Sequence, residues 1–294
     1  MVRKFQILKS SLLKIQARVQ AKTYTVLFVL LSPFFLSACG SQFQTIDPHA
    51  PTTSNPLEAE RFSFDLNQSS DRDMQAVAAL CDSEDLNDFT TEKKKEFVCS
   101  LLPGAVRMSK QVYKQRVQIK ALHSKSNSTL LSGEELDWLT RIKIDYGLTQ
   151  AASMDDLLKR VDIVPLPLII AQAAIESGWG TSRAAIQGKN LFGIHGSFGK
   201  DQCLTAKNNK SVCIKKYNSV VEGISDYIQF LNTKNSAKDF RQQREAFRLQ
   251  RSPLDPLQLA GTLHLYSERG QEYTRYLQNM MVDQNFLRFV FTEN

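Results

Sequence analysis

The ten residues from Leu166 to Ile175 carry no charge, and they run directly into Glu176-Ser177-Gly178-Trp179-Gly180. An apolar run of that length predicts a helix buried on every side, and the two glycines predict its stop. A chain that must bury such a helix has to pack other helices around it, so this segment points to a mainly α fold. Glu176 falls in the last turn of that helix, where the negative end of the helix dipole disfavours an ionised carboxylate. Burial against the flat face of Trp179 pushes the same way. Both effects raise a pKa, and a carboxyl that stays protonated near neutral pH is suited to general-acid chemistry.

The flanking sequence supports the helical reading. Met74 to Cys81 and Phe97 to Leu102 are short apolar segments, and Ala105 to Leu122 follows with helical spacing. Ser132 and Glu135 form a capping box at the start of a helix through Ile144, and Ser153 to Asp156 opens another with its acids in the first turn. Ser219 and Glu222 read as a further capping box. Phe240 to Leu249, Leu257 to Leu263 and Tyr273 to Phe291 complete a helical body. The pattern breaks only between Phe198 and Tyr217, where two short arms flank Lys207-Asn208-Asn209-Lys210 and predict a small β-hairpin lobe. The expected division is a leader over 1–38, a tether over 39–60, a helical N-terminal extension over 61–130 and a main domain over 131–294.

The leader sets the compartment. Arg3, Lys4, Lys9, Lys14, Arg18 and Lys22 precede an apolar stretch from Tyr24 to Phe35 and then Leu36-Ser37-Ala38-Cys39-Gly40. A basic region, a short apolar core and small residues before a cut describe a secretory signal. Leu-Ser-Ala-Cys resembles the bacterial lipobox, which implies lipid on Cys39 and membrane attachment through it. Only 16 residues separate Lys22 from Cys39, which is short for a spanning helix. Gly40, in place of an aspartate, favours the outer membrane and a periplasmic body. Gly40 to Glu60, with Pro48, Pro51 and Pro56, reads as a flexible tether.

Charge excludes a partner class. The chain carries 37 basic and 30 acidic residues; loss of the leader removes six bases and no acid, leaving +1. Nucleic acid, which needs a basic patch, is not expected as a partner. With lipid on Cys39, four cysteines remain: Cys81, Cys99, Cys203 and Cys213. They allow three pairings, of which the nearest-neighbour scheme Cys81–Cys99 and Cys203–Cys213 suits an oxidising compartment. A zinc site would want close Cys or His spacing that His49, His123, His195 and His264 do not offer, so no metal is expected.

ESGWGTS at 176–182 and GKNLFGIHG at 188–196 together resemble the signature of the glucosaminidase-type peptidoglycan hydrolases, which have a lysozyme-like helical fold. Leu158 to Pro165 and Leu265-Tyr266-Ser267-Glu268-Arg269-Gly270 resemble the Bax-type branch, and the likeness covers residues 97–290. It implies an endo-β-N-acetylglucosaminidase that cuts the β-1,4 bond after N-acetylglucosamine in peptidoglycan, with Glu176 as general acid, no cofactor and a monomeric body. The same fold also serves muramidases and lytic transglycosylases, and a catalytically silent wall-binding lipoprotein is the reading from another class.

The resemblance also distributes roles. Trp179, Asn190, Phe192, His195, Tyr266 and Tyr273 are the expected substrate contacts, with Trp179 doubling as packing for Glu176. Asn190 either bonds an acetamido group or turns the chain before Leu191-Phe192-Gly193. Glycoside hydrolysis ordinarily uses two carboxyl groups. The second place stays open between Asp201, Glu268 and the substrate's own 2-acetamido group.

Overall fold

The computed structural model describes residues 61–86, 89, 91–206 and 209–293. The leader, Cys39 and the tether lie outside these residues. Along the chain, β1 (Phe62–Asp65) leads into α1 (Ser70–Asp82), α2 (Glu92–Ser126), α3 (Gly133–Asp145), α4 (Met154–Arg160), α5 (Leu166–Ser177) and α6 (Arg183–Gly188). A hairpin of β2 (Cys203–Thr205) and β3 (Cys213–Lys215) follows. The chain then adds α7 (Val220–Thr233), α8 (Lys238–Leu249), α9 (Pro256–Gly261), α10 (Gln271–Asp283) and β4 (Phe289–Thr292). The body is mainly helical with a small hairpin lobe, as the lysozyme-like expectation requires.

The apolar run is the central helix α5, and every residue from Leu166 to Ala174 is buried. Pro165 and Pro167 open it, which suits a first turn whose N–H groups have no helical partner. Gly178, left-handed at φ 57°, closes it. Helices α2, α9 and α10 pack against α5, together with β4. Val98, Leu101, Leu102, Ala105 and Val106 of α2 enter the same apolar cluster as α5, α7 and α10. Residues 98–106 therefore share one apolar core with helices from the second half of the chain.

Two local expectations are corrected. Phe97–Leu102 and Ala105–Leu122 are one continuous helix that passes through Pro103. The Cβ missing at Gly104 would fall 2.8 Å from Ile224 Cδ1, so α7 packs directly over that point. Residues 289–292, expected to continue the last helix, form β4 instead. They pair in parallel with β1, with Phe62 opposite Phe289 and Asp65 opposite Thr292. Phe62–Asp65 alternates apolar and polar positions over only four residues and Phe289–Thr292 does not alternate, so neither shows a strand period of its own.

The capping boxes at Ser132/Glu135 and Ser153/Asp156 form in full. At α7 only half of the box does: Ser219 accepts from Glu222 N–H, while the Glu222 carboxylate accepts from Asn218 N–H, one residue early. Asp162, between α4 and α5, is buried among three guanidiniums. Arg248 holds it through two bonds of 2.9 and 2.8 Å, with Arg116 at 3.5 Å and Arg244 at 3.9 Å. Burial pushes the Asp162 carboxyl up, but the three cations outweigh it and hold it below the usual carboxylate range. Cys81–Cys99 ties α1 to α2, and Cys203–Cys213 ties the hairpin arms. Among the described residues no helix is long and apolar enough to cross a membrane.

Candidate active site

Glu176 sits one residue before the end of α5, half-buried, where the chain turns sharply back. Three residues in succession, Gly178, Trp179 and Gly180, take left-handed conformations. The buried Ser177 hydroxyl secures the turn, donating to Ala173 O at 2.5 Å and accepting from Gly180 N–H at 2.7 Å. Left-handed backbone costs a non-glycine residue about 1–2 kcal/mol. At Trp179 the indole's packing offsets that cost: its ring lies 5.7 Å from Phe97 on α2 and 6.1 Å from Phe286, with Lys94 Nζ 4.8 Å above it. Trp179 thus ties the turn to Phe97 on α2 and to Phe286 beyond α10.

The two oxygens of Glu176 have different surroundings. Oε1 accepts a 2.8 Å hydrogen bond from the Tyr273 hydroxyl on α10. Oε2 lies beside Gly193, an exposed residue at φ 67°, where an added Cβ would stand 3.6 Å away. Burial raises the pKa of the carboxyl, and the Tyr273 bond opposes that effect only in part. The end of α5 places the same carboxyl near the helix's negative pole. Glu176 therefore has a carboxyl of raised pKa, with one oxygen bonded to Tyr273 and the other beside the exposed Gly193.

The Asn190–Gly196 loop frames that open side. Asn190 is buried, and its amide is fully engaged within the protein. It donates to Ile194 O at 2.8 Å and Lys215 O at 2.9 Å, and accepts from the N–H groups of Phe192 and Ile194. An amide with these four bonds has none further to offer, and they tie Asn190 into the loop and to the hairpin. Phe192 is buried too. Only 1% exposed, its ring stacks on Tyr227 at 4.0 Å in the core, and its carbonyl accepts from Tyr266 Oη at 2.8 Å. Exposed His195 bridges to Ile214 of the hairpin. The loop and the hairpin are consequently one lobe.

The two late tyrosines come together as a stacked pair, 5.8 Å apart and 10° from parallel. Tyr266 is partly buried against Phe230, whereas Tyr273 is 2% exposed. Tyr273 thus reaches Glu176 from the interior. The two candidate second carboxylates are elsewhere engaged or exposed. Asp201 accepts from Ser197 N–H at 2.8 Å and faces Lys215 at 3.4 Å, and the Ser197 bond, ahead of Lys215, holds its carboxyl below the usual range. Lys215 also pairs with Asp226 at 2.8 Å. Glu268 is exposed on the loop before α10, and its neighbour Arg269 bonds Glu272 instead.

Sequence reasoning did not single out Gln172 or Tyr227. Gln172 is fully buried, accepts from Tyr227 Oη at 2.5 Å and donates to Tyr273 Oη at 2.8 Å. The signal for it was present: it is the single polar residue between Leu166 and Ala174. A buried amide in such surroundings needs partners.

Comparison with known proteins agrees with this geometry. Residues 151–285, which hold α5, the loop, the hairpin and both tyrosines, match the glucosaminidase family, described as mannosyl-glycoprotein endo-beta-N-acetylglucosaminidase. The chain is also 30% identical over 195 residues to Protein bax of Escherichia coli (strain K12), covering 66% of this chain and 70% of that protein. No solved structure matches it. The arrangement around Glu176 and both comparisons lead to one assignment: the chain belongs to the glucosaminidase family, on its Bax-type branch.

Proposed function

We propose that this chain is an endo-β-N-acetylglucosaminidase that cleaves the bond from N-acetylglucosamine to N-acetylmuramic acid in peptidoglycan, with Glu176 as general acid. The observation that carries the proposal is the asymmetry of the Glu176 carboxyl: Oε1 is held by Tyr273, and Oε2 is left open beside Gly193. A carboxyl of raised pKa whose free oxygen faces outward is suited to protonate a leaving glycosidic oxygen. General-acid cleavage of this kind needs no metal and no organic cofactor. Family membership supports a glycoside hydrolase, and peptidoglycan as its substrate.

For the second catalytic place, the bonds of Asp201 to Ser197 and Lys215 favour a structural duty in the hairpin lobe, and the exposure of Glu268 favours no fixed geometry. These two facts favour the substrate's 2-acetamido group as the nucleophile. Attachment through a lipid on Cys39, with the body in the periplasm, is part of the same proposal. It rests on the Leu36-Ser37-Ala38-Cys39 text and the tether.

The test is mass spectrometry of purified peptidoglycan digested by the soluble chain from residue 40, with Glu176→Gln alongside. Fragments ending in reducing N-acetylglucosamine, absent with the variant, are the expected result. Reducing or anhydro N-acetylmuramic acid ends would reassign the enzyme as a muramidase or lytic transglycosylase. Wall binding without fragments in either protein would make it a binding lipoprotein.

A further inference from the structure

Gln172 lies one turn before Glu176 on α5, within a helix that is otherwise apolar up to Ala174. An amide buried without partners costs several kcal/mol on the order of 2–7, so its presence there asks for a role. Its bonds have a direction. The Tyr227 hydroxyl donates to Gln172 Oε1 at 2.5 Å, Gln172 Nε2 donates to Tyr273 Oη at 2.8 Å, and the Tyr273 hydroxyl donates to Glu176 Oε1 at 2.8 Å. Tyr227 is fully buried, and its ring is fixed by stacking on Phe192 at 4.0 Å.

This direction decides where the acid's proton sits. Because Tyr273 Oη already accepts from Gln172, its own hydrogen is left for Glu176 Oε1. Oε1 is then an acceptor, and a proton on Glu176 resides on Oε2, the oxygen beside Gly193. With the Gln172 amide turned round, the chain of bonds would run backwards. Tyr273 would donate to Gln172, and the Glu176 proton would sit on Oε1, pointing into the protein. Tyr227 opposes that reversal, since its buried hydroxyl hydrogen would lose its acceptor.

We infer that Gln172 is a positioning residue for the acid, acting through Tyr273, and that Tyr227 fixes the direction in which the Gln172 amide faces. The inference rests on the proposed role of Glu176 and adds to it the choice of oxygen. Gln172 touches neither the carboxyl nor a substrate; its effect passes through one phenol.

The experiment compares Gln172→Met, Tyr273→Phe, the double variant and Tyr227→Phe in the soluble chain. The readouts are kcat and KM against pH on peptidoglycan, and the titration of the Glu176 carboxyl by carbon NMR. Loss of the Tyr273 donor removes an influence that holds the Glu176 pKa down, so the carboxyl titrates at higher pH. Gln172→Met and Tyr273→Phe should both move the carboxyl titration and the alkaline limb of kcat upward. Each should lower kcat roughly tenfold, the scale of one hydrogen bond to a charged group, with KM little changed. The double variant should move no further than Tyr273→Phe alone, because the two residues act in series. Tyr227→Phe, which removes only a hydroxyl, should shift the titration in the same direction by less.

An unmoved Glu176 titration in folded Gln172→Met or Tyr227→Phe overturns the inference and leaves Gln172 a packing residue. Additive effects in the double variant overturn it as well. The NMR titration reads the bond series without turnover. If Glu176→Gln cleaves normally while the titration moves as expected, the acid assignment fails and the coupling through Gln172 stands.

Discussion

A side chain at position 193 would stand 3.6 Å from Glu176 Oε2, and Gly193 therefore keeps that oxygen uncovered. Its φ of 67° adds a second reason for glycine, since alanine there is strained by about 1–2 kcal/mol. Gly193→Ala should lower the melting temperature by a few degrees, roughly 2–4 °C per kcal/mol for a domain of this size. It should reduce glycan cleavage on the order of a hundredfold, the effect of misplacing a reacting group. Calorimetry and muropeptide release, measured on one preparation, separate the two losses; equal loss of both would show a folding defect only.

Glu176→Gln should reduce cleavage by roughly 10²–10⁴-fold, the range for general-acid catalysis. In the proposed mechanism the required form is the protonated one, so activity should fall as pH rises through the raised Glu176 pKa. Stability follows the same group. Because the folded pKa lies above the unfolded one, folding binds an extra proton, and Glu176 weakens the fold as pH rises from the unfolded value, near 4.3, through the folded one. The glutamine variant should be more stable than the native chain above that window and equal to it below. Urea titrations at pH 4 and pH 8 check this.

Asp162 has the opposite sign. Three arginines hold its folded pKa below the unfolded value despite complete burial, so its contribution is present above about pH 3.9 and is lost as pH falls through the depressed folded pKa. Asp162→Asn leaves Arg116, Arg244 and Arg248 without their shared anion. Removing one partner of a buried ion network costs roughly 3–5 kcal/mol. Denaturant midpoints at neutral pH should fall accordingly, and the variant should lose the native chain's steep acid transition.

The disulfides should act separately. Cys81–Cys99 closes 18 residues and Cys203–Cys213 closes 10, so the chain-entropy relation gives about 3 kcal/mol for each. Cys203→Ser with Cys213→Ser should loosen the hairpin lobe and raise KM, because Asn190 and His195 bond to β3. The Cys81 and Cys99 double serine variant should lower stability with KM unchanged. Kinetics on short glycan fragments would distinguish them.

Much of this was legible locally. The apolar run at 166–175, its glycine stop, the box at Ser132, the helix start at Ser153 and a hairpin between Phe198 and Tyr217 all follow from near-neighbour chemistry, and the structure contains each where expected. The nearest-neighbour cysteine pairing holds for the same reason. What escaped depends on distant residues. Phe62–Asp65 becomes a strand only because Phe289–Thr292 lies beside it. Asn190 and Phe192 stand within text that points to a site, yet their side chains turn inward, which spacing does not reveal. The bond from Tyr273 to Glu176 joins residues 97 positions apart, a distance that local spacing does not encode. Gln172 was passed over because a single amide in an apolar stretch alters no periodicity.

The pairing of β1 with β4 has a consequence for how the body is completed. Its two partners are separated by nearly the whole described chain, so this ladder is among the contacts of highest loop-closure cost and closes late in folding. Until the last residues arrive, Phe62 and Phe64 have no strand to lie against, and the aromatic cluster of Phe89, Trp179 and Phe286 beneath the acid's turn lacks its C-terminal member. A chain truncated before Phe286 would leave the turn that presents Glu176 without that support. The turn that carries Glu176 is thereby fixed only once segments from far up and far down the chain have met.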